Sequence, residues 1–132
     1  MSQAPAAVPH PFADLLGFEV AERGDGRCRT VLEIRDEHRN PHGIVHGAVL
    51  YALADTGMGG ALTSVLAAGE ICSTIEIKIN YLRPWRSGTL RCETRLVSRG
   101  RTTAMLSSDL YDGEDRHLAM ATGTFAILAG RG

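Results

Sequence analysis

Residues 46–66 read HGAVLYALADTGMGGALTSVL, and the rest of the fold is organised around them. These 21 residues hold one formal charge, Asp55. Apolar side chains recur at Val49, Leu50, Leu53, Met58, Leu62, Val65 and Leu66, a spacing that suits a helix better than a strand. At about 1.5 Å of rise per residue the helix spans roughly 30 Å, long enough to cross a bilayer. Its composition argues against that. Ala and Gly outweigh the large aliphatics, and His46, Asp55, Thr56, Thr63 and Ser64 interrupt the apolar surface. A helix buried inside a soluble domain is the better expectation, with no membrane contact.

On the N-terminal side, residues 11–16 fit one or two helical turns, opened by Pro11 and stopped by Gly17. Residues 18–23 look extended, and Gly24-Asp25-Gly26 is a turn signal. The following run alternates, with Cys28, Thr30, Leu32 and Ile34 on one face and Arg27, Arg29, Glu33 and Arg35 on the other. The two runs read as a hairpin. After the long helix come four strand-like runs, over residues 75–81, 88–98, 102–111 and 117–128, joined by short turns. Short turns predict antiparallel sequential neighbours. One apolar face per strand predicts a sheet covered on one side, and the central helix is the element large enough to cover it. The predicted class is α+β: an antiparallel sheet wrapped around one long central helix. One domain spans residues 11–128, between an N-terminal arm over 1–10 and a tail over 129–132.

Composition narrows the function. The 132 residues fit a single domain, and 14 Lys+Arg against 15 Asp+Glu leave a net charge of −1. General nucleic-acid binding needs a basic excess, so no nucleic-acid partner is expected. Three cysteines, Cys28, Cys72 and Cys92, cannot form a full disulfide framework. With no signal-peptide pattern at the start, a reducing, cytoplasmic setting is expected.

Three features carry chemistry. Asp55 sits in the middle of the most apolar helix, where an ionised carboxylate is costly unless paired or hydrogen-bonded. It either faces a polar gap or serves as a general base or nucleophile. The second feature is the approach to that helix, Asn40-Pro41-His42-Gly43-Ile44-Val45-His46-Gly47. Free N–H groups at a helix start can hold a developing oxyanion. Gly47 lets a ligand come close to that backbone, and Asn40 can add a side-chain donor. His38, His42 and His46 are spaced by four, but Pro41 and Gly43 break helical continuity and no acidic or Cys cluster completes a site, so no metal is expected. The third feature is basic. Lys78, Arg83, Arg86, Arg91, Arg95, Arg99 and Arg101 are half of the fourteen cations, opposed within their stretch by Glu93 alone. They form either a solvated sheet face or a phosphate-binding patch.

Asn40-Pro41-x-Gly43-x-x-His46-Gly47 followed by Leu53-Ala54-Asp55 resembles the signature of hotdog-fold acyl-CoA thioesterases of the phenylacetic-acid-degradation, or PaaI-like, branch of the 4-hydroxybenzoyl-CoA thioesterase superfamily. Thr74-Ile75-Glu76-Ile77-Lys78-Ile79-Asn80-Tyr81-Leu82-Arg83-Pro84 is similar to that family's next strand, and Ser98-Arg99-Gly100-Arg101 to its usual turn. The chain departs at Ala48, where the family often has a second glycine.

The resemblance implies a hotdog fold and hydrolysis of an acyl-CoA thioester, aromatic or medium-chain, with no cofactor beyond the coenzyme A of the substrate. It makes Asp55 the catalytic carboxylate and Gly47 the carbonyl-polarising N–H. Asn40 assists, and His46 belongs to the same catalytic motif. Thr74 matches a hydroxyl residue that positions water or the carboxylate. Asn80, Arg83, Arg99, Gly100 and Arg101 are the matched candidates for holding substrate. Strand alternation puts Thr74 opposite Ile75, Ile77 and Ile79, so either a bulge re-aims it or a partner subunit receives it. A non-catalytic acyl-CoA binder on the same fold is the alternative. A hydratase is disfavoured, because His46 and Asp55 on one helix lie about 13 Å apart. Gly47 and Asp55 are about 12 Å apart on one helix, too far to act on one carbonyl, which predicts a shared site in a two-fold dimer, and a dimer of dimers beyond it.

Overall fold

The structure, a computed structural model, describes residues 9–130. The elements are α1 (Pro11–Leu16), β1 (Phe18–Gly24), β2 (Arg27–Glu33), a 3-10 turn (Asp36–His38), α2 (Gly47–Thr63), β3 (Glu70–Tyr81), β4 (Thr89–Arg99), β5 (Thr103–Asp112) and β6 (His117–Ala129). The six strands form one sheet in the order β1-β2-β4-β5-β6-β3, with every neighbouring pair antiparallel. Helix α2 lies against the concave side. Its Leu53, Met58 and Leu62 are fully buried against Leu32, Leu90, Leu106, Leu110 and Leu118 of the sheet or its margins. Close approach needs a glycine. A Cβ on Gly57 would stand 2.6 Å from the Thr94 hydroxyl of β4. The antiparallel sheet around one helix is the architecture expected above.

Three details differ from expectation. First, α2 stops at Thr63 rather than Leu66. The Ser64 hydroxyl donates to the Ala61 carbonyl and accepts from Gly26 N–H, while Val65 and Leu66 make tighter bonds to carbonyls three residues back. Serine thus competes with the helical ladder and ends it. Second, β3 is not beside β4. It pairs with β6, and β4 pairs with β2. The link between them crosses the end of the sheet. Leu82 and Arg83 N–H groups reach Leu118 O of β6, Trp85 O accepts from Val45, and Gly88 O accepts from Ile34 beyond β2. Pro84, lacking an N–H, cannot continue the ladder within this crossing. Third, β3 begins at Glu70, five residues before the alternating run that marked it.

Strands β1 and β3 are the two edges, and each carries a bulge. In β1 the register shifts between Val20 and Glu22, and in β3 between Thr74 and Glu76. A bulge flips which side chains face the helix. The arm expected over residues 1–10 lies outside the described residues except for Pro9 and His10, and the His10 ring packs edge-on against Phe18 at 5.9 Å. Of the expected tail, Ala129 is the last residue of β6 and Gly130 donates to Gly69 O, while residues 131–132 lie outside the described ones. Among the described residues no helix is long and apolar enough to cross a membrane.

Candidate active site

Asp55 projects from the middle of α2 towards β3, where the Thr74 hydroxyl donates to its Oδ1 at 2.7 Å. The bulge answers the parity question left by the sequence. Thr74 pairs with the buried Phe125, whereas Glu76 pairs with Thr124, so Thr74 faces the helix with Ile77 and Ile79. Asp55 and Thr74 line a cavity of about 680 Å³. Gly59, Gly60 and Thr63, one and two turns beyond Asp55 on α2, form one wall, and Phe125 stands opposite. Asp55 is half-buried rather than sealed in the core. A carboxylate that keeps one oxygen on a hydroxyl and meets an open cavity avoids the full cost of a buried charge.

At the other end, Gly47 is the first residue of α2. The His46 imidazole Nδ1 accepts the Ala48 N–H at 2.9 Å. His46 is therefore a helix cap, and no hydrogen bond joins it to Asp55. The Gly47 N–H meets no protein acceptor among the described residues, leaving it free for a ligand. The Tyr81 hydroxyl donates to Gly47 O at 2.8 Å, and a Cβ on Gly47 would stand 2.9 Å from the Tyr81 ring. Asn40 Oδ1 accepts the N–H groups of His42 and Ile44, so its carbonyl shapes the loop and only its amide NH2 remains to donate.

The three histidines do not converge. His38 is buried between Arg35 N–H and Leu16 O, His42 lies in the loop, and His46 caps the helix. The structure divides the substrate-binding candidates between the ends of β3. Asn80 pairs with the exposed Met120 on the outer face, and Arg83 is exposed beyond the Tyr81 end. Arg99, Gly100 and Arg101 lie at the Glu70 end. Arg99 is already engaged: it pairs with Glu70 at 3.2 Å and donates to Val65 O. Gly100 closes its turn with an N–H to Thr103 O. Among the described residues Arg83 and Arg101 make no ion pair. Glu93 is the one anion within the basic stretch, and the fold brings two more to it from outside: Asp115 joins Glu93 on Arg91, and Glu70 holds Arg99.

Sequence reading missed Tyr81, Phe125 and Gly59 as parts of the site. Tyr81 had a usable signal, because it lies in phase with the inward Ile77 and Ile79.

Comparison with known proteins identifies the fold and the family. The thioesterase superfamily matches residues 42–119. A conserved protein of Pseudomonas aeruginosa, PA5202, is 32% identical and superposes with a TM-score of 0.87 over 91% of this chain and 95% of its own. A thioesterase family protein from Silicibacter pomeroyi is 25% identical with a TM-score of 0.88, covering 92% and 91%. A variant of the phenylacetic acid degradation protein PaaI from Thermus thermophilus is 28% identical with a TM-score of 0.83, covering 90% and 100%. The fold is the hotdog fold, of PaaI-like type, and by the match of residues 42–119 the chain belongs to the thioesterase superfamily.

Proposed function

We propose that this hydrolase cleaves acyl-CoA thioesters, releasing a free acid and coenzyme A, with an aromatic or medium-length acyl group in the cavity beside Asp55. The observation that carries the reading is the Asp55 carboxylate, held by Thr74 through one oxygen at the edge of a 680 Å³ cavity. The other oxygen is left to take a proton from an attacking water, or to attack the thioester itself. The Gly47 N–H, at the start of α2 and backed by the helix dipole, stabilises the oxyanion as the carbonyl is attacked. On the first route the C–S bond then breaks as the tetrahedral intermediate collapses, and the proton that Asp55 took from water passes to the departing thiolate; on the second the thiolate leaves behind a mixed anhydride on Asp55, which water hydrolyses to the free acid while supplying the proton of the thiol.

One subunit cannot assemble these parts. Gly47 and Asp55 are eight residues apart on α2, about 12 Å along its axis. Two chains related by a two-fold axis, with their α2 helices antiparallel, bring the Asp55 of one to the Gly47 of the other. The same operation brings the Arg101 end of one β3 towards the Arg83 end of its partner, giving the coenzyme A phosphates cations from both chains. Edge strand β3 is free to pair across that axis. Ile75 and Tyr81 on it are more than half exposed in the single chain, as a strand awaiting a partner would be.

The test is a panel of acyl-CoA esters, aromatic through long-chain, followed with a free-thiol reagent. Thiol release matched by free acid supports the thioesterase. Tight binding without thiol release would make the protein an acyl-CoA sensor, and a changed acyl chain with the thioester intact would make it a hydratase.

A further inference from the structure

The cavity has a far end that the hydrolytic chemistry does not use, and a cation reaches it. In β1, regular alternation would put Arg23 on the outer face, because Phe18 and Val20 face the helix. The bulge between Val20 and Glu22 reverses this. Glu22 turns outward and pairs with Arg29, while Arg23 sits opposite the buried Cys28 on the helix side. Its Cδ lies 3.5 Å from where a Cβ on Gly60 would stand, and it lines the same cavity as Asp55 and Thr74. The two edge strands therefore each use a bulge to aim one polar side chain into one cavity, Thr74 from β3 and Arg23 from β1.

Arg23 forms no ion pair and no hydrogen bond among the described residues. The acidic side chains nearest the opening, Asp14 and Glu19, line the cavity but are exposed and lie beyond ion-pair distance of it. Exposed carboxylates of this kind are screened by water and salt. A ligand carboxylate delivered inside the cavity would instead meet the guanidinium with its planar fork of donors. The level of Gly60 is five residues from Asp55 on α2, about 7.5 Å along the axis, which leaves room for a short chain between the two groups.

We propose that Arg23 is a specificity-determining residue that selects acyl thioesters whose acyl group ends in a carboxylate, the mono-thioesters of medium-length dicarboxylic acids. This rests on the thioesterase reading of Asp55 and names the substrate class of that site. The geometry makes Asp55 and Arg23 the two poles of the acyl cavity: one handles the thioester and the other the distal carboxylate. Gly60 lets the helix pass close to this end of the cavity, since a Cβ there would stand 2.8 Å from Cys28 Sγ and 3.5 Å from Arg23 Cδ.

The experiment compares adipoyl-CoA with hexanoyl-CoA, two six-carbon acyl groups that differ in the distal carboxylate. The wild-type protein should favour adipoyl-CoA in kcat/KM by roughly tenfold, the scale of one hydrogen-bonded charge. Arg23→Ala should erase that preference and leave hexanoyl-CoA turnover within about twofold, while Arg23→Lys should restore part of it. A wild-type preference for hexanoyl-CoA, or an equal loss on both substrates in Arg23→Ala, overturns the proposal. If neither ester releases thiol, the hydrolase reading itself fails, and the Arg23 site is judged by calorimetry. Adipate binding more tightly than hexanoate to wild type, but not to Arg23→Ala, sustains it, and equal binding of the two acids rejects it.

Discussion

Asp55 and Thr74 come from different elements, nineteen residues apart, yet the threonine hydroxyl meets Asp55 Oδ1 at 2.7 Å because the β3 bulge turns Thr74 towards the helix. The carboxylate is thereby fixed in rotation about its own side chain, with its second oxygen left for chemistry. That one bond ties the helix position of the acid to the strand position of its orienting group.

Asp55→Asn keeps the shape of the side chain and removes its ability to take a proton or attack. We expect kcat for acyl-CoA hydrolysis to fall by at least about a hundredfold. Because Asp55 is half-buried and its hydroxyl partner can bond an amide equally well, the thermal midpoint should stay within a few degrees of wild type. Near-normal turnover in this variant would remove Asp55 from the mechanism.

Thr74→Val is close to isosteric but lacks the donor. A hydrogen bond to a charged group is worth about 1.5–3 kcal/mol, so kcat should drop roughly ten- to hundredfold with KM little changed. Thr74→Ser, which restores the hydroxyl, should recover most of the activity. A serine variant as impaired as the valine one would mean that Thr74 acts through packing against Phe125 rather than through Asp55.

Arg101 and Arg99 separate two meanings of a basic stretch. Arg99 holds Glu70 and Val65 O, so Arg99→Ala should lower stability at the start of β3. Arg101 has no ion pair to lose among the described residues. Arg101→Ala should leave stability alone and raise KM several-fold for CoA esters, more at low salt than at high. A pantetheine thioester without the nucleotide should be unaffected, and equal damage to both substrates would give Arg101 a structural role.

The parts of this molecule that follow a period were legible in the sequence. Val49, Leu53 and Leu62 announced the helix, and Cys28, Thr30 and Leu32 announced the inward face of β2; all are buried. Asp55 stood out because a charge in an apolar helix needs a reason. What could not be read were events that break a period. The bulges at Ala21 and Ile75 each move one residue out of phase, and no residue type marks them. The place of β3 at the sheet edge depends on a crossing held by long-range bonds such as Val45 N–H to Trp85 O, which no local pattern encodes. The cap bond from Ala48 N–H to the His46 imidazole was likewise not marked by any period.

The cysteines give a prediction in pH. Burial is the main cause that pushes the Cys28 thiol from its ordinary 9.0 up to about 12, and Cys92 up to about 11. Both are protonated in the folded and unfolded chain well below pH 9, so they impose no slope there. As pH rises past 9.0 the unfolded chain loses these protons while the folded chain keeps them. Stability therefore falls, by up to about 1.4 kcal/mol per pH unit for each thiol. Denaturant melts between pH 8 and 11 should show this fall, and Cys28→Ala should make it shallower. At pH 8 a thiol reagent should modify Cys72 in the native protein and reach Cys28 and Cys92 only on unfolding; rapid native labelling of Cys28 would contradict the burial that drives the argument.

The shared site can be tested by complementation. Proline suits the first position of a helix, and His46 already has the extended backbone that a residue before proline prefers. Gly47→Pro thus removes the N–H that polarises the carbonyl without breaking α2, and the exposed Tyr81 ring can swing aside to admit it. Asp55→Asn removes the acid end. Each variant alone should be inactive, since both of its sites lack the same part. In a heterodimer of the two, one site joins the proline end of one chain to the asparagine of the other and is doubly broken. The second site joins the intact Gly47 to the intact Asp55. Unbiased pairing makes about half of the dimers mixed, so roughly a quarter of all sites should work when the variants are co-expressed. The recovered activity should vanish on dilution below the dimer's dissociation constant. If both variants are folded and separately inactive, and co-expression recovers nothing, then each subunit builds its site alone and the two-fold arrangement is wrong.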